Sequence, residues 1–167
     1  MEARNHFTCI AFDSIDFLIQ SKYVLFGIYQ DVKTDVRNIV FNRETLPHIY
    51  IGSLLEEEFG CRSVEECRVV LVMNKKDFSQ DVCKLIEDYS ETAFPASGNI
   101  AISVNTSISS RIIDTKTLRL IPESIRVRMG ECGVSAIGFT DKKQILIAPD
   151  NLLMKFFSVG LLKKETA

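Results

Sequence analysis

Val134-Ser135-Ala136-Ile137-Gly138-Phe139-Thr140-Asp141-Lys142-Lys143-Gln144-Ile145-Leu146-Ile147-Ala148 is the stretch that decides the fold class. Two short apolar runs, 134–139 and 143–148, flank the polar segment Asp141-Lys142-Lys143, and the pattern reads as two strands joined by a turn. The same grammar runs upstream, predicting strands at 99–104, 111–113, 117–121 and 124–129. In Ile125-Arg126-Val127-Arg128-Met129 the alternation is strict, so one face is predicted to be buried and the other cationic. Nearer the N-terminus, strands are predicted at 6–12, 15–20, 23–29, 36–41 and 48–52. A turn falls at Asp13-Ser14, and the polar segment 42–45 separates the last two. The run Arg68-Val69-Val70-Leu71-Val72-Met73 suits a central strand. So many short strands predict a mainly β protein built from closed or nearly closed barrels.

Helical signals are few. Ser53-Leu54-Leu55-Glu56-Glu57-Glu58-Phe59 predicts a short helix, with Ser53 and Glu56 spaced as a capping box and Gly60 as the stop. Phe78, Val82, Leu85, Ile86 and Tyr89 recur at helical spacing behind Asp77 or Ser79 as the cap, predicting an amphipathic helix that covers a barrel face. Pro95, Ser97 and Gly98 end the connection that follows it. Pro149-Asp150 opens a last helix through Phe157, with Asp150 as cap, and residues 163–167 read as a frayed polar tail.

The chain has 167 residues, 46% of them hydrophobic and 25% charged. A chain of this length buries roughly 70% of its unfolded surface, enough for a core without staples. With that apolar content, 8 Gly and 4 Pro, disordered, collagen-like and low-complexity classes are excluded. Twenty basic and 22 acidic side chains leave a formal charge of −2, against a dedicated DNA binder. The polar start, 1–6, has no long apolar region behind it, and no run of about 18 apolar residues occurs. A cytoplasmic protein is expected. Five irregularly spaced cysteines (Cys9, Cys61, Cys67, Cys83 and Cys132) agree, since they form no disulfide framework. The spacing of Cys61 and Cys67 is poor for zinc.

Enzyme signatures are scarce. The two histidines, His6 and His48, make no helical metal pair, and neither a Walker loop nor a dinucleotide fingerprint is present. Gly130-Glu131-Cys132-Gly133 sets a thiol between glycines, but no general base is evident, and a turn between strands is the favoured reading. Arg111, Arg119, Arg126 and Arg128 form the best charged cluster. Without interleaved aromatics it lacks a stacking platform, and ion pairing with Asp114, Glu123 or Glu131, or a charged rim on a protein-binding surface, is favoured over nucleic-acid binding.

Taken in order, these elements resemble the chemotaxis coupling protein family, CheW. Val104-Asn105 leads to Leu118-Arg119 and Pro122, which look like the family's strand end and Ile/Leu-Arg-x-x-Pro ending. Residues 134–139, the Asp141 turn, 144–147 and Leu152-Leu153 look like its closing hairpin and C-terminal helix. Residues 7–12, Phe17-Leu18-Ile19 and 24–28 resemble its opening strands. Ile49 through Phe59-Gly60 resembles its strand-into-helix unit, and residues 68–74 the strand after it. Residues 75–98 stand as a helical insertion where the family has a tight turn.

The resemblance implies one CheW-like domain over 1–167, made of two intertwined five-stranded SH3-like β-barrels with a few short helices. It implies a non-enzymatic adaptor, without cofactor or metal, that couples methyl-accepting chemoreceptor cytoplasmic tips to the histidine kinase CheA. Nucleic acid and membrane insertion are not expected. The competing reading is a small β-barrel that binds nucleic acid. The family's Asn-Leu-Arg-Gly loop, whose Arg serves coupling, falls where this chain reads Phe41-Asn42-Arg43-Glu44. Arg43 and Asn42 are therefore the candidate contacts. Val24, Phe26 and Ile28 lie in the strand region near that loop and are candidates for the same surface, against an ordinary core role.

Overall fold

The structure is a computed structural model that describes residues 4–120, 134–139 and 142–166. The strands are β1 Arg4–Ala11, β2 Ile15–Gln20, β3 Phe26–Tyr29, β4 Asn38–Phe41, β5 Glu44–Tyr50, β6 Val69–Asn74, β7 Asn99–Val104, β8 Ile108–Asp114, β9 Leu118–Leu120, β10 Val134–Phe139 and β11 Lys143–Ile147. Among the described residues three α-helices join them: α1 Gly52–Phe59, α2 Gln80–Ser90 and α3 Pro149–Thr166.

The strands form two sheets. One is six-stranded in the order β8-β1-β2-β11-β10-β9, and the other five-stranded in the order β3-β6-β7-β5-β4. Neighbours are antiparallel except β2 with β11 and β5 with β7. Both sheets curl. In the first, edge strands β8 and β9 are separated only by the 3-10 turn Thr115–Thr117. Ile113 and Leu118 from those two edges share an apolar cluster with Phe7, Cys9 and Leu18. In the second, Val32, Ile39, Leu46, Val70, Val72 and Ala101 fill the concave face. The two expected barrels are thus two curled sheets. The first has six strands where five were expected, because three-residue β9 adds to the free side of β10. The strand expected at 124–129 and the Cys132 turn lie outside the described residues.

A third, larger core lies between the sheets, and alternation along single strands feeds it. In β6, Val70 and Val72 enter the second sheet's interior, while Val69, Leu71 and Met73 enter the middle core. In β2, Leu18 faces the first interior, and Ile15, Phe17 and Ile19 face the middle. Because side chains alternate along a strand, both faces of these strands are buried. That is why 68–73 carries no polar alternation. Leu54 and Leu55 of α1, Val82 and Ile86 of α2, and Leu152, Leu153 and Phe157 of α3 close the middle core.

The helix starts differ from expectation in two of three cases. α1 begins one residue early, after Ile51, with no side-chain cap, so Ser53 does not cap it. Gly52 opens it because the Tyr50 hydroxyl lies 2.5 Å, and its ring 2.6 Å, from where a Cβ would stand. Gly60 ends it in the left-handed region, φ 64°. Ser79 does cap α2, accepting from the Val82 N–H at 3.2 Å. Asp150 does not cap α3. Its carboxylate accepts instead from the Ser79 N–H at 2.8 Å, tying the starts of α2 and α3 together. The α3 backbone runs past Phe157 to Thr166, so the tail expected to fray is helical.

Residues 75–98 leave and re-enter the sheet at one point. Asn74 pairs with Asn99 across β6 and β7, and the Lys75 N–H donates to the Gly98 carbonyl at 2.9 Å. The excursion carries α2, whose apolar face packs inward, as the helical spacing predicts.

Candidate functional site

The β4–β5 connection is a two-residue hairpin. Phe41 pairs with Glu44, leaving Asn42 and Arg43 at the tip with φ of 49° and 65°. Both residues in the left-handed region match a type I′ turn, whose twist suits paired strands. Asn tolerates that region, but a long L side chain is disfavoured there, so Arg43 is held in a costly conformation while exposed. Glu44 steadies the hairpin from the other side, its carboxylate accepting from the Ser97 N–H at 3.3 Å. The polar segment 42–45 is thus half turn and half strand, and β5 starts at Glu44 rather than at 48.

Beside this tip the five-stranded sheet exposes apolar side chains. Phe26 is 50% exposed, Val40 67%, Tyr29 67% and Leu25 44%. The Phe26 and Phe41 rings meet at 5.8 Å, tilted by 51°. Of the three candidates in the N-terminal region, only Phe26 is exposed. Val24 is half-buried against the middle core, and Ile28 is half-buried against the second interior, both in packing roles. Sequence reasoning missed Leu25, Tyr29, Val40 and Phe41. The signal was available in the edge positions of β3 and β4, but edge position follows from sheet order, which no local pattern encodes.

Under the hairpin, β5 presents His48 to the interior, fully buried. Its Nδ1 faces the Val36 carbonyl and its Nε2 lies 2.7 Å from the Ser103 hydroxyl. A carbonyl only accepts, so Nδ1 carries the proton and Nε2 accepts from Ser103. Burial holds the imidazole pKa below its ordinary value, and the nearby Arg68 charge lowers it further, against the Val36 hydrogen bond. The neutral ring pins the approach to β4 onto β5 and β7.

On the other sheet, Asp16 is buried between two cations, Arg111 at 3.0 Å and Lys142 at 2.8 Å. Lys142 also donates to the Phe12 carbonyl. Arg111 therefore finds its partner in Asp16, not in Asp114, which accepts from the Lys116 N–H at the 3-10 turn. Arg111 and Arg119 lie on β8 and β9, the two edges of the sheet. Arg126 and Arg128 lie outside the described residues. Burial pushes the thiols of Cys9 and Cys61 up to about 11. Among the described residues, no group of three or more His, Cys, Asp or Glu side chains is placed to hold a metal ion, and no helix is long and apolar enough to cross a membrane.

Comparison with solved structures matches the scaffolding protein TtCheW from Thermoanaerobacter tengcongensis. The TM-score is 0.51 over 86% of this chain and 88% of that one, at 12% identity. The fold is CheW-like. No protein-family model matches the sequence, and no curated protein matches it. The likeness therefore lives in the paired curled sheets and the order of their strands, not in shared side chains. Among the described residues, exposed Phe26 and its ring partner Phe41 stand next to the hairpin tip that carries Arg43.

Proposed function

We propose that this chain is a non-enzymatic adaptor that couples chemoreceptor tips to the histidine kinase CheA. The observation that carries the reading is exposed Phe26, its ring against Phe41 at the foot of the hairpin that holds Arg43 at positive φ, on a fold shared with a scaffolding protein. A protein interface needs an apolar centre with a polar rim and a few anchoring aromatic or arginine side chains. Phe26 and Arg43 supply one of each. An arginine kept where glycine would be unstrained points to use of its side chain. The buried thiols with raised pKa lack the thiolate that nucleophilic catalysis requires.

The test is titration of the purified protein against a CheA regulatory domain by isothermal calorimetry. Binding in the micromolar range or tighter is expected, which is about −8 kcal/mol. Arg43→Ala and Phe26→Ser are each expected to weaken it at least tenfold. Absence of binding at several hundred micromolar would remove the kinase as partner.

A further inference from the structure

The hairpin that carries Arg43 is fastened at both ends to one excursion of the chain, residues 75–98. At its root, the segment 36–38 divides its bonds between two elements. Its backbone goes to β5: the Arg37 carbonyl accepts from the His48 N–H at 2.8 Å, and the Val36 carbonyl faces His48 Nδ1. Its side chains go to the end of α2. Arg37 donates to the Tyr89 carbonyl and the Asn38 amide to the Ser90 carbonyl, both at 3.1 Å. At the tip, Glu44 stands next to Arg43 and accepts from the Ser97 N–H at 3.3 Å, where the excursion returns to the sheet.

These contacts meet a need on each side. The last carbonyls of a helix have no donor within it. α2 stops at Ser90, where Glu91 turns left-handed at φ 56° and its N–H closes a last bond onto the Glu87 carbonyl at 2.9 Å. The Tyr89 and Ser90 carbonyls lie beyond that bond. Arg37 and Asn38 bring donors to them, beside the Thr92 hydroxyl on Ser90 at 3.3 Å. The Arg37 guanidinium also stacks 4.7 Å over the Tyr89 ring, and a cation suits the negative end of a helix. For its part, β4 is four residues long and, among the described residues, pairs with β5 alone. A short edge strand that ends in a turn with two positive φ angles opens easily when nothing else holds it.

We propose that the excursion is a brace that sets the position of the Arg43 hairpin, and that the hairpin and the last turn of α2 open and close as one unit. Each anchoring bond alone shifts an opening equilibrium about two- to tenfold. Because the bonds join the two elements, whatever holds the hairpin closed also holds the helix end, and the reverse. A ligand seated on Arg43 is thereby felt at α2. The brace rests on the contacts at 36–38 and Glu44 and does not depend on what the hairpin binds.

The test is native-state hydrogen exchange followed by NMR and read at the Glu91 amide, with changes made at the far end of the hairpin. Arg43→Gly relieves the positive φ at the tip and is expected to slow exchange about two- to fivefold, both in the β4–β5 ladder and at Glu91. Glu44→Ala removes the bond to Ser97 and is expected to speed both about two- to tenfold. Glu44→Gln keeps an acceptor oxygen and should leave both near the parent values. With Arg37→Ala and Asn38→Ala added, neither tip variant should move Glu91 any longer, while protected β6–β7 amides show that the chain is still folded. A Glu91 amide indifferent to Arg43→Gly and Glu44→Ala would overturn the proposal, since the helix end would then fray by itself. So would a response at Glu91 that persists without the Arg37 and Asn38 side chains, because the coupling would then run by another route.

Discussion

Phe26 and Phe41 touch, ring centroids 5.8 Å apart, although β3 and β4 stand at opposite ends of the five-stranded sheet. An edge-to-edge contact of this kind requires the sheet to curl until its ends approach, and it covers part of an open seam that would otherwise expose both strands. The pair should therefore be coupled. Phe26→Ala and Phe41→Ala are each expected to lower stability, by about 1–2 kcal/mol given their partial burial. Denaturant unfolding of the two single variants and the double variant should show a coupling energy of about 0.5–1.5 kcal/mol. Strict additivity would mean that the rings are neighbours without interaction.

Arg43 separates stability from binding. Its φ of 65° is unstrained for glycine alone, and the residue is exposed with no packing to lose. Arg43→Gly is expected to stabilise the hairpin by about 0.5–1 kcal/mol, after the extra entropy of an unfolded glycine is subtracted. The same change should weaken capture of the kinase fragment at least tenfold. A variant that is more stable and binds as well as the parent would leave Arg43 without a role in the interface.

Much of this fold is legible in the sequence, and the illegible part has a physical pattern. Strands buried on both faces and helices with one apolar stripe announce themselves. β2, β7 and β10 have the predicted bounds, and α2 follows Phe78, Val82, Ile86 and Tyr89 with Ser79 as cap. Edge strands do not. β8 is seven residues long, but only three were predicted, because Ser109 and Ser110 face water on an edge and carry no apolar signal. β5 lies inside its sheet, but its first residues, Glu44-Thr45, pair only with β4 and are polar, so they too carry no apolar signal. The parallel pairing of β2 with β11 joins residues about 130 apart, and no local pattern reports it. The hairpin with Arg43 could be placed from sequence, but the apolar seam beside it depends on which strands are edges.

The Asp16 cluster gives an asymmetric prediction. Asp16 is almost wholly buried, while the side chains of Arg111 and Lys142 keep 43% and 31% of their exposure. Removing the carboxylate leaves two cations that can turn to water. Removing both cations leaves a buried charge with no counter-ion, the costly case. Arg111→Ala with Lys142→Ala is expected to cost about 3–5 kcal/mol, and Asp16→Asn clearly less. Melting of the three variants in one buffer checks the order, and a reversed order would show that the carboxylate organises the strands through its geometry rather than its charge.

The thiols should react in the order of their burial. Cys9 and Cys61 are buried and raised to about 11, so almost no thiolate exists at neutral pH. Cys67 and Cys83 are half-buried, with thiols raised less by their surroundings. Timed alkylation with iodoacetamide at pH 7.5, read by peptide mass spectrometry, should label Cys67 and Cys83 well before Cys9 and Cys61. Early labelling of Cys9 would show that the first sheet opens at β1 far more readily than its packing allows.

His48 sets an acid limb on stability. Its folded pKa lies below the ordinary 6.5, chiefly from burial, so between the two values the unfolded chain binds the proton and the folded chain does not. More protons on the unfolded state mean that stability rises with pH through this window. The contribution is complete above about pH 6.5 and is lost as pH falls below it, by at most about 1.4 kcal/mol per pH unit for one proton. Asp13, whose carboxylate is lowered by the Arg62 backbone N–H, contributes only in stronger acid, below its ordinary 3.8. Denaturant midpoints at pH 7.5, 6.5 and 5.5 should therefore be level across the first step and fall across the second. By NMR the ring in the folded protein should titrate with a midpoint below 6.5. A folded imidazole that titrates at 6.5 would mean that Ser103 and Val36 bind the charged ring as well as the neutral one, which a carbonyl and a hydroxyl acting as a donor cannot do without the Ser103 hydroxyl turning over.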